Sequence, residues 1–216
     1  MNYKRFAFAI IILLIIVTGV YFISDINNDE ISQINNENNN NVAVKQSEGS
    51  EFLMNTLVRV RIHDENSEEI LEGALSRIRD LEKVLSKTIE GSDIYKINLN
   101  AGNKPVQVDK RTYELLEEAL FFAEKTKGSF DPTIGPLVTL WGIGTENERV
   151  PSQEEINNTI EKINYNNLAL MDDYNVYLKN EEMSIDLGAI AKGYTADKII
   201  TYLNENDVVI GKDVDT

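Results

Sequence analysis

The feature that most constrains this chain is the apolar run Phe6 to Ile23, broken only by Thr18 and Gly19. It approaches the ~20 residues that a bilayer-spanning helix needs. Lys4 and Arg5 precede the run, and Asp25, Asp29 and Glu30 follow it. That charge order puts the N-terminus in the cytoplasm and everything after the span outside. A cleaved signal peptide is the rival reading, but no Ala-x-Ala-like site follows the run. The expectation is an uncleaved anchor over 1–23, a single-pass cell-membrane protein, and an extracytoplasmic folded domain.

Residues 24–50 cannot build a core. Eight of the fifteen residues from Asn27 to Asn41 are asparagine, a composition too poor in apolar groups to offset chain entropy. The stretch reads as a disordered spacer between the membrane and a domain at 51–216. The chain has no cysteine, which excludes disulfides, thiolate metal sites, thiol nucleophiles and a lipidated cysteine anchor. The formal charge is −15; residues 1–23 carry only Lys4 and Arg5, so 24–216 carry −17. Such acidity argues against binding nucleic acid or anionic lipid.

Within the domain, Val58, Val60 and Ile62 alternate with Arg59 and Arg61, a half-buried strand over Thr56–His63. Leu71, Ala74, Leu75, Ile78, Leu81 and Leu85 follow at helical spacing, with Asn66 and Glu69 spaced as a capping box and Gly91 as the stop. Asp109 is placed to cap a second helix carrying Tyr113, Leu116, Leu120 and Ala123, with Gly128 as its C′ glycine. Ser152 and Glu155 mark a third helix start. Strands are expected at about 167–171, 175–178 and 182–187, then a glycine-marked turn and a helix to Leu203. The order of elements is that of an α+β fold.

Two segments could carry chemistry. From Gly128 to Gly144 the chain packs two prolines, four glycines, Asp131 and the one tryptophan into a long interval with little periodicity. Prolines fix φ and glycines permit close backbone approach. Phe130 beside Asp131 suits a flat heterocycle, by stacking and by a hydrogen bond; a structural Ω-loop would look the same. The second segment, Ser184 to Asp197, runs from a strand end through Gly188 into a helix start bearing Lys192. Free N–H groups and the dipole at such a start attract phosphate, and Asp186 with backbone carbonyls could share a metal ion. An ordinary strand-to-helix connection with a solvated lysine is the alternative. The glycine spacing of a P-loop or dinucleotide fingerprint is absent.

His63 has no second histidine or cysteine with which to share a metal, and reads as a bystander. The pairs Glu68/Glu69, Glu117/Glu118 and Glu154/Glu155 read as solvated faces.

Taken in order, four segments resemble the FAD:protein FMN transferases of the ApbE family: Leu53-Met-Asn-Thr56, Gly91-Ser-Asp-Ile-Tyr-Lys-Ile-Asn98, Gly128-Ser-Phe-Asp-Pro-Thr-Ile-Gly-Pro-Leu-Val138 with Trp141-Gly142, and Asp186-Leu-Gly-Ala-Ile-Ala-Lys-Gly193. The resemblance covers about 52–205 and implies an ApbE-like mixed sheet with packed helices. It also implies that Met54, Ser129, Phe130, Asp131, Asp186 and Lys192 contact FAD, and that Mg²⁺ is held partly by Ala189 through its carbonyl. The implied reaction moves the FMN moiety of FAD to a threonine or serine hydroxyl of an exported redox protein and releases AMP. The implied partner is an FMN-acceptor protein at the membrane surface.

Two departures stand out. The opening motif has Asn55 where glycine is commoner, and the family's flavin-contacting tyrosine falls at Thr88 or Ile89. The family's glycine-rich strand, His-x-x-Asp-Pro segment and remaining metal carboxylates are not found before Thr216. On that ground a C-terminally truncated, catalytically incomplete flavin-binding remnant is the alternative expectation.

Overall fold

The computed structural model describes residues 46–63 and 66–208. The anchor expected over 1–23 and the spacer up to residue 45 lie outside the described residues. Among the described residues no helix is long and apolar enough to cross a membrane.

The first strand, β1 (Gln46–Leu53), claims Gln46 to Ser50 from the stretch read as spacer. It pairs antiparallel with β2 (Thr56–His63), from Gln46 opposite His63 to Leu53 opposite Thr56. Apart from Leu53 its inner face is polar, so alternation of apolar residues does not reveal it. The partner of that face is helix α1 (Ser67–Leu85). The Arg79 guanidinium holds Glu51 at 2.6 and 2.9 Å, and Ser47 Oγ lies 2.8 Å from the hydroxyl of buried Ser67. Gly49 lets the ribbon lie close on the helix; a Cβ there would stand 2.9 Å from Leu75 Cδ1.

Met54 and Asn55 form the two-residue connection of this hairpin, with φ of +51° and +58°. Positive φ at both central residues is the type I′ geometry that matches strand twist, and asparagine is among the side chains that accept it.

Helix α1 buries Ala74, Leu75, Ile78, Leu81 and Leu85 of the expected stripe, but Ile70 in place of Leu71, which is only half-buried. Its ends differ from expectation. Asn66 is the N-cap residue but supplies no side-chain capping bond, and the helix stops at Leu85 rather than Gly91. Gly91, at φ +86°, instead closes the turn before α2 (Asp93–Leu99), whose cap is Ser92 accepting from Tyr95 N. After β3 (Val106–Gln107), α3 (Lys110–Lys125) begins at Asp109, whose carboxylate accepts from Arg111 N at 2.8 Å. Lys127, with φ +54°, takes the C′ position expected of Gly128, and Gly128 N returns to Ala123 O at 2.9 Å.

The interval from Gly128 to Val150 is not irregular throughout. Gly135–Trp141 is a helix, α4, with Pro136 in its first turn, where a missing N–H costs nothing. Helix α5 (Gln153–Ile160) carries both halves of the Ser152/Glu155 capping box. Strands β4 (Leu168–Met171) and β5 (Asn175–Leu178) join β3 in the order β3-β5-β4, all antiparallel. The strand expected at 182–187 is reduced to one parallel bridge between Ile134 and Ser184. The fold is α+β as expected, but in place of one mixed sheet the described residues form two small antiparallel sheets and that single bridge. Helix α6 (Ala191–Glu205) closes the described chain.

Two apolar clusters share the long helices. Leu81 and Leu85 of α1 and Ala191 and Tyr194 of α6 join α2, α3 and the three-stranded sheet in the larger core. Ile70, Ala74 and Ile78 of α1 and Ile199 and Tyr202 of α6 pack under the hairpin with Leu53 and Ile62.

Candidate functional site

The site is built where residues 131–135 and 184–188 run side by side. Asp186 N donates to Pro132 O at 2.9 Å and Gly135 N donates to Ser184 O at 3.1 Å. Gly135 permits the approach, since a Cβ there would lie 2.6 Å from Ser184 O. On the other edge the Asn98 amide clasps Ile185, donating to its carbonyl at 3.0 Å and accepting from its N–H at 2.7 Å. A side chain from α2 thus takes the place of a neighbouring strand. Two motifs distant in sequence become one surface.

Asp131 fastens its own loop. One carboxylate oxygen accepts from Thr133 N at 2.8 Å and from Thr133 Oγ1 at 2.6 Å, and the other accepts from Tyr165 N at 3.0 Å. The Thr133 hydroxyl, fully buried, accepts in turn from Asn164 N at 3.0 Å. The carboxylate is aimed inward, so this aspartate shapes the loop that displays Phe130.

Asp186 is differently placed. One oxygen accepts from Gly188 N at 2.8 Å, and the other lies 2.6 Å from Lys87 Nζ. Its side chain is 14% exposed against 31% for Lys87. Six residues on, Lys192 stands exposed on the first turn of α6.

Phe130 and Ala189 meet at an open groove of about 410 Å³, with Phe122, Ile190 and Tyr194 among its apolar walls and Glu118 and Asp197 as acids on it. A groove of that size and lining suits part of an organic ligand. Its acids disfavour phosphate there, so the ring system fits the groove and phosphates fit the lysine side. The Tyr194 hydroxyl donates to Arg111 O at 3.1 Å, and burial pushes its ionisation above the ordinary tyrosine range. It is a neutral donor at neutral pH.

Met54 sits at the hairpin turn, apart from this pair of loops along the chain but tied to α1 and α6. Its N–H donates to Glu82 Oε1 at 2.6 Å, and its sulfur accepts from Thr195 Oγ1 at 3.3 Å. Ser129 lies exposed before Phe130. Sequence reading missed Lys87, Asn98, Glu82 and Thr195. Asn98 and Thr195 fall within segments singled out above but were given no role there; Lys87 and Glu82 carry no local signal, because each meets its partner far away in the chain. His63 ends β2 on its exposed side.

The ApbE family model matches residues 54–211. FAD:protein FMN transferases of Treponema pallidum and Klebsiella pneumoniae are 36% and 30% identical to the chain, over 170 and 160 residues. Each alignment takes in 74% of this chain but 47% and 50% of the relative, so the chain spans about half the length of the curated relatives it matches. The ApbE protein of Thermotoga maritima superposes with a TM-score of 0.70 at 37% identity, covering 76% of this chain and 54% of that one. The flavin transferase ApbE of Vibrio cholerae gives 0.69 at 25% identity, covering 76% and 55%. With the family model covering most of the folded region, the chain belongs to the ApbE family, whose named members are FAD:protein FMN transferases.

Proposed function

We propose that the chain binds FAD across the paired loops and, as the N-terminal half of an FMN transferase, serves transfer of FMN to a threonine or serine hydroxyl of an exported protein. The observation that carries this reading is the joining of the Phe130 loop to the Asp186–Lys192 turn through Asp186 N to Pro132 O. It brings an aromatic groove and an anion-attracting turn together. In the reaction the hydroxyl oxygen bonds to the FMN phosphorus and loses its proton, while the P–O bond to AMP breaks and AMP leaves with the electron pair. Phe130 packs against the ring, Asp131 keeps the loop in shape, and Lys192 attracts the diphosphate.

The resemblance also implies Mg²⁺. The described residues do not by themselves fit it: no group of three histidines or acids among them could hold a metal, and the Asp186 carboxylate already serves Lys87 and Gly188. No step is therefore routed through the ion. The membrane anchor over 1–23 would set this half outside the cell, facing an acceptor protein at the same surface.

The test is the intact mass of a purified acceptor domain after incubation with the full 216-residue chain, FAD and Mg²⁺, beside a control without the chain. A gain of one FMN moiety supports transfer. No gain, with FAD still bound in a titration, supports the second reading, a flavin-binding half without turnover. That reading is favoured by one observation, that among the described residues no group of three histidines or acids could hold a metal ion.

A further inference from the structure

We propose that Lys87 is a further binding residue of this site, the resident cation that receives the phosphates of the flavin nucleotide; this rests on the FAD-binding reading above. Lys87 Nζ lies 2.6 Å from Asp186 Oδ2, on the turn that leads to Lys192. An ammonium has three N–H donors, and Asp186 is its one ion-pair partner among the described residues. With 31% of its side chain exposed, Lys87 is reached by solvent at this turn.

The charge pattern requires such a group. Asp186 is a carboxylate beside the place where a diphosphate would lie, and an unpaired carboxylate there would repel it. Lys87 neutralises the aspartate while keeping donors for an anion. Lys87 arrives from the segment after α1, outside the quoted motifs, so nothing in those motifs assigns it.

The experiment titrates FAD and riboflavin against the full-length wild type, Lys87→Ala, Lys87→Gln and Lys87→Arg, with EDTA present so that no divalent ion stands in for the ammonium. Riboflavin carries the ring without phosphate. The expected result is an FAD Kd about tenfold weaker in Lys87→Ala and Lys87→Gln, the scale of one charge-assisted hydrogen bond. Riboflavin should stay within about twofold, and Lys87→Arg should recover most of the FAD affinity, since charge rather than length is what counts.

Lys87→Gln keeps a donor for Asp186, so full recovery in that variant would mean that Lys87 only steadies the turn, and would overturn the proposal. Equal weakening of FAD and riboflavin would overturn it as well, as would an unchanged FAD Kd. Wild type that binds neither flavin would overturn the FAD-binding reading and this proposal together; wild type that binds while the variants match it overturns this one alone. Thermal melts of all four proteins identify any variant that fails to fold, and the remaining ones decide.

Discussion

Asp131 and Asp186 stand on adjoining strips of backbone and do opposite work. The Asp131 carboxylate faces inward and takes three hydrogen bonds from Thr133 and Tyr165. Asp186 faces a part-exposed lysine and the start of a helix. A loop closed on itself in this way is scaffold, whereas a turn with accessible cations beside it can receive a ligand. Residue type alone does not separate the two, since both are aspartates inside glycine-marked motifs. Their partners separate them.

The sharpest way to break that comparison is Asp131→Ala. It strands the buried Thr133 hydroxyl and two backbone N–H groups, and should cost about 3 kcal/mol in urea unfolding, from lost hydrogen bonds to a charged acceptor. A cost below ~1 kcal/mol would mean the carboxylate is not the loop's fastening. Asn98→Ala comes next. It frees both backbone groups of Ile185, should cost about 2 kcal/mol for two ordinary bonds at roughly 1 kcal/mol each, and should remove hydrogen-exchange protection from the Ile185 amide while sparing Asp186.

Asp186→Ala should be milder for the fold, under ~1 kcal/mol after solvent screening of a partly exposed pair, yet it should disturb FAD binding more than Asp131→Ala does per unit of stability lost. Equal ratios in the two variants would erase the distinction between scaffold and site. Away from both loops, Lys127→Gly should stabilise the chain by about 0.5 kcal/mol, because φ +54° strains a lysine and not a glycine.

The smallest effect is a pH dependence at α5. Arg149, with the Ser152 cap, holds the Glu155 carboxyl down to about 2. A depressed carboxylate stabilises the fold above its unfolded value near 4.5, and the contribution fades as pH falls towards about 2. Protection factors of the amides in the first turn of α5, taken against the intrinsic exchange rate at each pH, should therefore fall across that window in the wild type and stay flatter in Glu155→Gln.

Much of this was readable in the sequence. Helices α1, α3, α5 and α6 announce themselves through apolar stripes or caps, and β2, β4 and β5 through alternation and spacing. What stayed hidden has physical causes. Apart from Leu53, the inner face of β1 is Ser47, Gly49 and Glu51, with Ser47 and Glu51 satisfied by Ser67 and Arg79 of α1 rather than by apolar burial. Helices α2 and α4 have seven residues each, too few for a period to show. At the site, Phe130 and Ala189 do come to one groove, and Asp186 lies six residues before Lys192 at the start of α6. The inward aim of Asp131 depends on Tyr165, and the pairing of Asp186 depends on Lys87; contacts between residues so far apart in the chain leave no local pattern.

The Asn98 clasp has a consequence for association between molecules. Extended backbone with free N–H and C=O groups invites another chain to add a strand. At Ile185 those groups are already taken by the Asn98 amide, while Ser184 O and Asp186 N are taken by Gly135 and Pro132. The segment that carries Asp186 is thus closed to strand addition on both edges, which keeps a candidate ligand surface from doubling as a template for aggregation.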